Sequence, residues 1–178
     1  KAVELIEGDA VWEAGEQGRY AKDLLVSALS RCDSPQGHTI DDGRTQDLVG
    51  TGQLSKLVKK PAAYFIEHLD GLKTTLLMLN GAISDYCFAA RLKGNPILQS
   101  TQFFLPPTPP VTYSACLVSK IEEMFETGRS PIPVERTLTV CGILDPCLTS
   151  RQQGGIRIET PDHDVQYQAP ELSQHCHS

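Results

Sequence analysis

Residues 64–79, YFIEHLDGLKTTLLML, decide the fold because they contain the clearest strand and turn signals in the chain. Residues 64–69 alternate between two faces, as is typical of a β-strand: Tyr64, Ile66 and His68 on one, and Phe65, Glu67 and Leu69 on the other. Asp70-Gly71 follows and suits a two-residue hairpin turn. Residues 72–79 become apolar on both faces towards their end, as expected of a central strand. The stretch therefore predicts an antiparallel hairpin.

Further strand signals follow the hairpin. Asn80-Gly81 is a second turn signal. Residues 84–92 form a third predicted strand, which places Asp85 and Arg91 on one face, and residues 99–105 are a candidate fourth. Together these segments predict an antiparallel meander.

Helical periodicity flanks the predicted meander. Apolar residues recur at helical spacing over residues 20–31, 115–125 and 134–150, with Pro146 inside the last helix as an expected kink or early end. Residues 156–159 alternate as a last short strand. We expect an α+β fold: a largely antiparallel open sheet (meander) with helices packed on one face.

The composition divides the chain into four parts. Residues 1–32 are an N-terminal helical lead-in, and residues 33–60 are predicted to be a mobile loop because residues 33–52 are rich in Gly, Pro and Asp and poor in apolar side chains. Residues 61–169 form the sheet domain, and residues 170–178 are expected to be a frayed tail.

The global composition excludes several functional classes. The 178 residues carry a net charge of −6 and no apolar run of about 18 residues, so we expect neither nucleic-acid binding nor membrane insertion. The six cysteines form no C-x-x-C pair and predict reduced thiols in a cytoplasmic protein; a secreted disulfide framework is the alternative. Residues 1–9 lack an apolar signal region and an initiator Met, which suggests a truncated or processed chain.

Candidate binding motifs are weak. Residues 50–55 begin like a dinucleotide loop but end in Ser, and a polar segment precedes them, so we assign them to a flexible loop. His175-Cys176-His177 offers soft ligands but needs a distant partner to hold a metal, so we assign no metal site.

The candidate site on the predicted sheet is a polar groove. His68, Asp85 and Arg91 are its candidate residues. The simpler interpretation is that Asp85 and Arg91 form the solvated face of a one-sided sheet. We assign no catalytic residue, because the chain lacks a G-x-S-x-G elbow and a cysteine at a strand-to-helix turn near a histidine.

Several segments resemble a known family in order and spacing. Residues 65–76 resemble the strand–Asp-Gly–strand hairpin in the C-terminal domain of the Gfo/Idh/MocA oxidoreductases, the glucose–fructose oxidoreductase and inositol dehydrogenase family. Residues 121–131 resemble the family's F-x-x-x-I-x-x-G-x-x-P helix end. Residues 134–158 resemble its final helix, S-x-x-x-G-x-x-V exit and last strand. The resemblance covers residues 61–159, over half of the chain, and is closest to poorly characterised members.

The resemblance implies a partner domain that the sequence does not contain. Family members join an N-terminal Rossmann domain to this α+β domain, whose open sheet serves substrate enclosure and oligomer contacts. A whole relative would be an NAD(P)-dependent oxidoreductase acting on a sugar-like alcohol. The chain has no strand–G-x-G-x-x-G–helix unit, so we expect no cofactor to be bound by it alone.

The family's catalytic motifs are not matched either. Residues 57–61, LVKKP, are similar to an E-K-P motif, but Lys59 replaces the Glu and the motif directly precedes the hairpin, so Lys60 is given no catalytic role. The family's D-x-x-x-H spacing also fails, because Glu13 stands four residues after Asp9.

Three functional hypotheses remain. The first is the C-terminal domain of a Gfo/Idh/MocA-like oxidoreductase, inactive without its missing N-terminal Rossmann domain. The second is a stand-alone module that forms a homo-oligomer through the sheet face, with Leu77 and Leu79 on the less covered side. The third, a small hydrolase or isomerase, would use Asp85, Arg91 or His68.

Overall fold

The computed structural model describes residues 2–32, 40–41, 44–45, 48–103, 112–161 and 163–169. In chain order, the elements are β1 (Ala2–Glu7), α1 (Asp9–Glu16), α2 (Lys22–Leu29), β2 (Ile40–Asp41), β3 (Arg44–Thr45), α3 (Leu54–Leu57), β4 (Ala62–Glu67), β5 (Lys73–Met78), β6 (Tyr86–Ala90), β7 (Gln99–Phe103), α4 (Thr112–Thr127), α5 (Val134–Gln152) and β8 (Ile158–Glu159). This mixture of helices with antiparallel strands confirms the predicted α+β class.

The predicted hairpin is present as β4 and β5. The two strands pair antiparallel from Glu67 opposite Lys73 to Ala62 opposite Met78. The backbone N–H of His68 donates to the carbonyl of Leu72 at 2.9 Å and closes the turn. Gly71 has φ +89°, a conformation that costs glycine little because it has no Cβ.

The partners of this hairpin differ from the expected run of four consecutive strands. The main sheet has the order β5-β4-β1-β8, whereas β6 and β7 pair with each other in a separate two-stranded sheet. The second neighbour of β4 is therefore β1, the first strand of the chain, with Leu5 opposite Tyr64.

A shared apolar face explains the position of β1. Val3 and Leu5 lie on the same side as Tyr64 and Ile66 because paired residues share a face and alternate residues switch faces. Helix α5 covers this side, where Val3 and Leu5 are buried with Cys147. Burial raises the pKa of the Cys147 thiol, so this group stays protonated in the core.

The opposite face of the main sheet meets the segment after α1. The guanidinium of Arg19 lies 4.3 Å from the centre of the Phe65 ring and also pairs with the Glu4 carboxylate through bonds of 2.7 and 3.1 Å. Leu77 lies on this side as well, packed against a second cluster of buried residues. The expectation of an open face at Leu77 and Leu79 is therefore wrong, and Leu76 is the exposed leucine of β5.

The second buried cluster corrects the prediction of a loop over residues 33–60. Leu48, Leu54 and Val58 are buried against Leu79 and Ala82, so residues 48–58 contribute three side chains to the core. Polar and glycine-rich neighbours concealed these three apolar residues from a prediction based on composition. Residues 33–39, 42–43 and 46–47 lie outside the described residues.

The predicted helices are confirmed with shifted ends. Helix α2 covers Lys22–Leu29 of the predicted 20–31, and α4 ends before Gly128, whose φ is +65°. Helix α5 does not end at Pro146 but continues to Gln152.

Candidate functional site

The three candidate groove residues, His68, Asp85 and Arg91, lie beside two different sheets. His68 directly follows β4, and its Nε2 shares a hydrogen bond of 3.1 Å with the Thr74 hydroxyl of β5. Arg91 directly follows β6, and its guanidinium pairs with the Asp23 carboxylate of α2 at 2.5 Å. Asp85 directly precedes β6. His68 therefore belongs to the main sheet, whereas Asp85 and Arg91 lie at the two ends of one strand of the second sheet.

The second sheet is held against α2 by polar contacts near both ends of the helix. Asp23, in the first turn of α2, contacts Arg91, which follows β6. Two residues after the last residue of α2, the Arg31 guanidinium donates to the Ser100 hydroxyl of β7 at 2.9 Å. The helix therefore runs along the two-stranded sheet, antiparallel to β6.

Two thiols meet in the same contact region. Cys32 follows Arg31, and its sulfur lies 3.2 Å from the sulfur of Cys87 in β6. Both side chains are half-buried. Sequence reasoning did not find this pair, because 55 residues separate the two cysteines and neither belongs to a C-x-x-C motif.

A shallow depression lies beside the ion pair. It has a volume of about 600 Å³, is widely open to solvent, and is lined by one loop, residues 91–96. The depression contains two basic side chains, Arg91 and Lys93, but no carboxylate, histidine or thiol among its lining residues. This composition gives no general acid–base pair, so the depression does not indicate a reaction.

Exposed apolar side chains occur on both sheets. Leu76 and Met78 project from β5, which is an edge of the main sheet as described, and 53% of Leu76 is exposed. On the second sheet, Tyr86 lies directly opposite Phe103, and Phe88 shares their face; all three are exposed. Apolar patches of this kind indicate surfaces that contact another molecule.

Helix α4 carries a further exposed apolar stripe. Its exposed residues are Leu117, Val118, Ile121, Met124 and Phe125. The periodicity that predicts this helix is correct, but within the described part of the chain α5 packs against β1 whereas the stripe of α4 stays exposed.

The metal and phosphate candidates receive no support. Among the described residues, no three His, Cys, Asp or Glu side chains are grouped to hold a metal ion. His175-Cys176-His177 lies outside the described residues. Residues 50–55 lead into α3, which has four residues and is too short to present an anion site. Lys59 and Lys60 are exposed before β4.

Comparisons with known proteins add no relative. No protein-family model, curated protein or solved structure matches the chain. In the described part of the chain, no helix has both the length and the apolar character needed to cross a bilayer.

Proposed function

We propose that the chain acts as the C-terminal, substrate-enclosing and oligomer-forming domain of an NAD(P)-dependent oxidoreductase of the Gfo/Idh/MocA type. Its substrate class would be a sugar-like alcohol. In this proposal, the dinucleotide is held by an N-terminal Rossmann domain, and the present chain is inactive alone. The proposal rests on the resemblance of residues 61–159 to that family.

The observation that best supports the proposal is the structure of the S-x-x-x-G exit. Ser150 is fully buried near the end of α5, where its hydroxyl accepts a 3.0 Å bond from the Leu5 N–H and donates a 2.5 Å bond to the Ile156 carbonyl. The glycine of the motif, Gly154, has φ +80° and leads directly into Gly155, which has φ +83° and where a Cβ would lie 3.2 Å from the Leu5 carbonyl oxygen. Ser150 and this pair of glycines therefore bring the chain from α5 back onto β1.

Direct titration tests the expectation that the chain alone does not bind a nicotinamide dinucleotide. We expect calorimetry with NADH and NADPH to show no micromolar binding to the chain, while a known dehydrogenase in the same buffer gives a normal isotherm. Micromolar binding by the chain alone would contradict the proposal. Sequencing the gene upstream of Lys1 is the complementary test, and a strand–glycine–helix unit there would support the assigned family and cofactor together.

A second candidate function is self-association without any enzymatic role. The observation that favours it is the exposed pair Leu76 and Met78 on edge strand β5, because edge strands with apolar side chains readily pair with another copy. Two such edges would join antiparallel in a symmetric dimer.

Sedimentation velocity tests whether the edge strand β5, and not the exposed apolar stripe of α4, forms the dimer. We expect the natural chain to sediment as a dimer and Leu76→Glu to shift it to monomer. Leu117→Glu on α4 is the matched control and should leave the dimer intact, since it places the same charge on a different exposed leucine. A natural chain that stays monomeric at high concentration argues against this function.

A further inference from the structure

We propose that Cys32 and Cys87 form a redox-active pair that a peroxide converts into an intramolecular disulfide between the turn that follows α2 and strand β6. The two sulfur atoms lie 3.2 Å apart. A disulfide bond is about 2.05 Å long, so the sulfurs must approach by only about 1.2 Å. None of the functional proposals above uses this pair.

The surrounding contacts hold the two backbones in place for this step. Asp23–Arg91 aligns the first turn of α2 with the end of β6, and Arg31–Ser100 fixes the residue that precedes Cys32. Helix α2 ends at Leu29, and backbone hydrogen bonds of 3.1 Å or less from Ser30, Arg31 and Cys32 back to residues 26, 28 and 29 hold the turn that leads to Cys32. Cys32 therefore meets β6 near its first residue, whereas Asp23 meets the residue after its last.

The chemistry of the pair balances with a peroxide as the oxidant. The thiolate of one cysteine attacks a peroxide oxygen, the O–O bond breaks, and hydroxide leaves to give a sulfenic acid. The sulfur of the other cysteine then attacks the sulfenic sulfur, the S–S bond forms, and the S–O bond breaks. The two thiols lose two electrons and two protons, and hydrogen peroxide is reduced to two molecules of water.

The location of the pair makes it distinct from the other described thiols. Cys32 and Cys87 are half-buried, which leaves a path for a small oxidant, and each already has the other sulfur in contact. Cys147 is fully buried in the main core, and its raised pKa keeps it in the unreactive thiol form. Cys116 and Cys141 are exposed on α4 and α5.

Oxidation would fasten the second sheet to the helix beneath it. The bond would close a loop between residues 55 positions apart, which contains α3, β4 and β5. Cross-linking restricts the unfolded chain more strongly than the folded one. We therefore expect the oxidised protein to unfold at a temperature roughly 5–15 °C higher than the reduced protein.

Peptide mapping tests the pairing directly. The full chain is reduced, freed of reductant, treated with hydrogen peroxide, alkylated and digested without reduction. We expect a peptide linked through Cys32 and Cys87 to exceed any other linked pair by about tenfold or more, because the positioned thiols react within one molecule. Dithiothreitol should remove it. The proposal is overturned if both thiols remain open to alkylation or if another pair dominates.

Matched variants connect the bond to the stability change. Cys32→Ser and Cys87→Ser should each abolish the rise in unfolding temperature, whereas Cys116→Ser should retain it in full. Circular dichroism of the reduced variants checks that each one folds. A rise of the same size in Cys87→Ser would also overturn the proposal, and the mapping of the natural chain stands even if a variant fails to fold.

Discussion

The main sheet and the second sheet are held in place by different kinds of interaction. In the main sheet, Val3 and Leu5 are buried under α5 together with Cys147. In the second sheet, the described residues of β6 and β7 are half-buried or exposed, including Tyr86 and Phe103, which are 63% and 59% exposed. The attachment of β6 and β7 to α2 includes an ion pair, the Arg31–Ser100 bond and the contact between two thiols.

This difference indicates where the molecule is stable and where it can change. Burial of apolar surface contributes about 25 cal/mol per Å² and acts cooperatively across the main core. Exposed polar contacts contribute much less, and regions built on them open at lower free energies than the core. We therefore expect the main sheet to determine global stability, and the second sheet to respond to salt and to the oxidation of its thiols.

The largest expected effect is the loss of a core leucine. Leu5 is 2% exposed, and Leu5→Ala should reduce the free energy of unfolding by about 2–5 kcal/mol, because it removes buried methyl groups and leaves a cavity. Urea unfolding followed by circular dichroism measures this change.

Leu76→Ala is the matched control for that experiment. It makes the same chemical change in the same sheet, but at a position that is 53% exposed, so its effect should stay within about 0.5 kcal/mol in the monomer. Equal losses in the two variants would show that the contrast between buried and exposed positions of the main sheet is wrong.

A somewhat smaller effect is expected from the buried hydroxyl that closes the main sheet. β8 pairs only with Ala2 and Val3, and the Leu5 N–H, beyond the end of β8, bonds to the Ser150 hydroxyl instead. Ser150→Ala leaves this N–H without that acceptor, which should cost about 1–3 kcal/mol of unfolding free energy.

Ser119→Ala controls for the gain in helix propensity, since both serines lie in helices and Ser119 is exposed. Urea unfolding of the two variants side by side gives the comparison. If Ser150→Ala unfolds no more easily than Ser119→Ala, the Ser150 hydroxyl does not stabilise the return of the chain to β1.

The sequence predicts contacts between residues that are close in the chain better than contacts between residues that are far apart in it. The β4–β5 hairpin is encoded by a turn and an alternation within 16 residues, and both are visible in the sequence. The pairing of β1 with β4 joins Leu5 to Tyr64, and no local pattern specifies such a partner. The burial of Leu54 and Val58 was missed for the same reason, because their contacts come from residues distant in the chain.

In the candidate site, too, the local contact is predictable from the sequence and the long-range contacts are not. Arg91 could be recognised as a polar residue of a strand, but its partner Asp23 lies on a helix 68 residues earlier. The Cys32–Cys87 contact depends on the docking of that helix, so neither cysteine differs in the sequence from an ordinary thiol. His68 forms its side-chain bond with Thr74, six residues away, inside the hairpin that the sequence does predict.

The smallest expected effect belongs to the ion pair that holds the second sheet. Asp23 and Arg91 are 53% and 59% exposed, so water and salt screen their attraction. A double-mutant cycle of Asp23→Asn and Arg91→Gln should therefore give a coupling of about 0.2–1 kcal/mol, which falls as sodium chloride is added. A coupling of several kcal/mol that is insensitive to salt would mean that the pair is dehydrated and that the second sheet is held as firmly as the first. A weak, salt-sensitive coupling is the outcome that leaves the proposed Cys32–Cys87 disulfide as the stronger attachment of this sheet to the α2 segment.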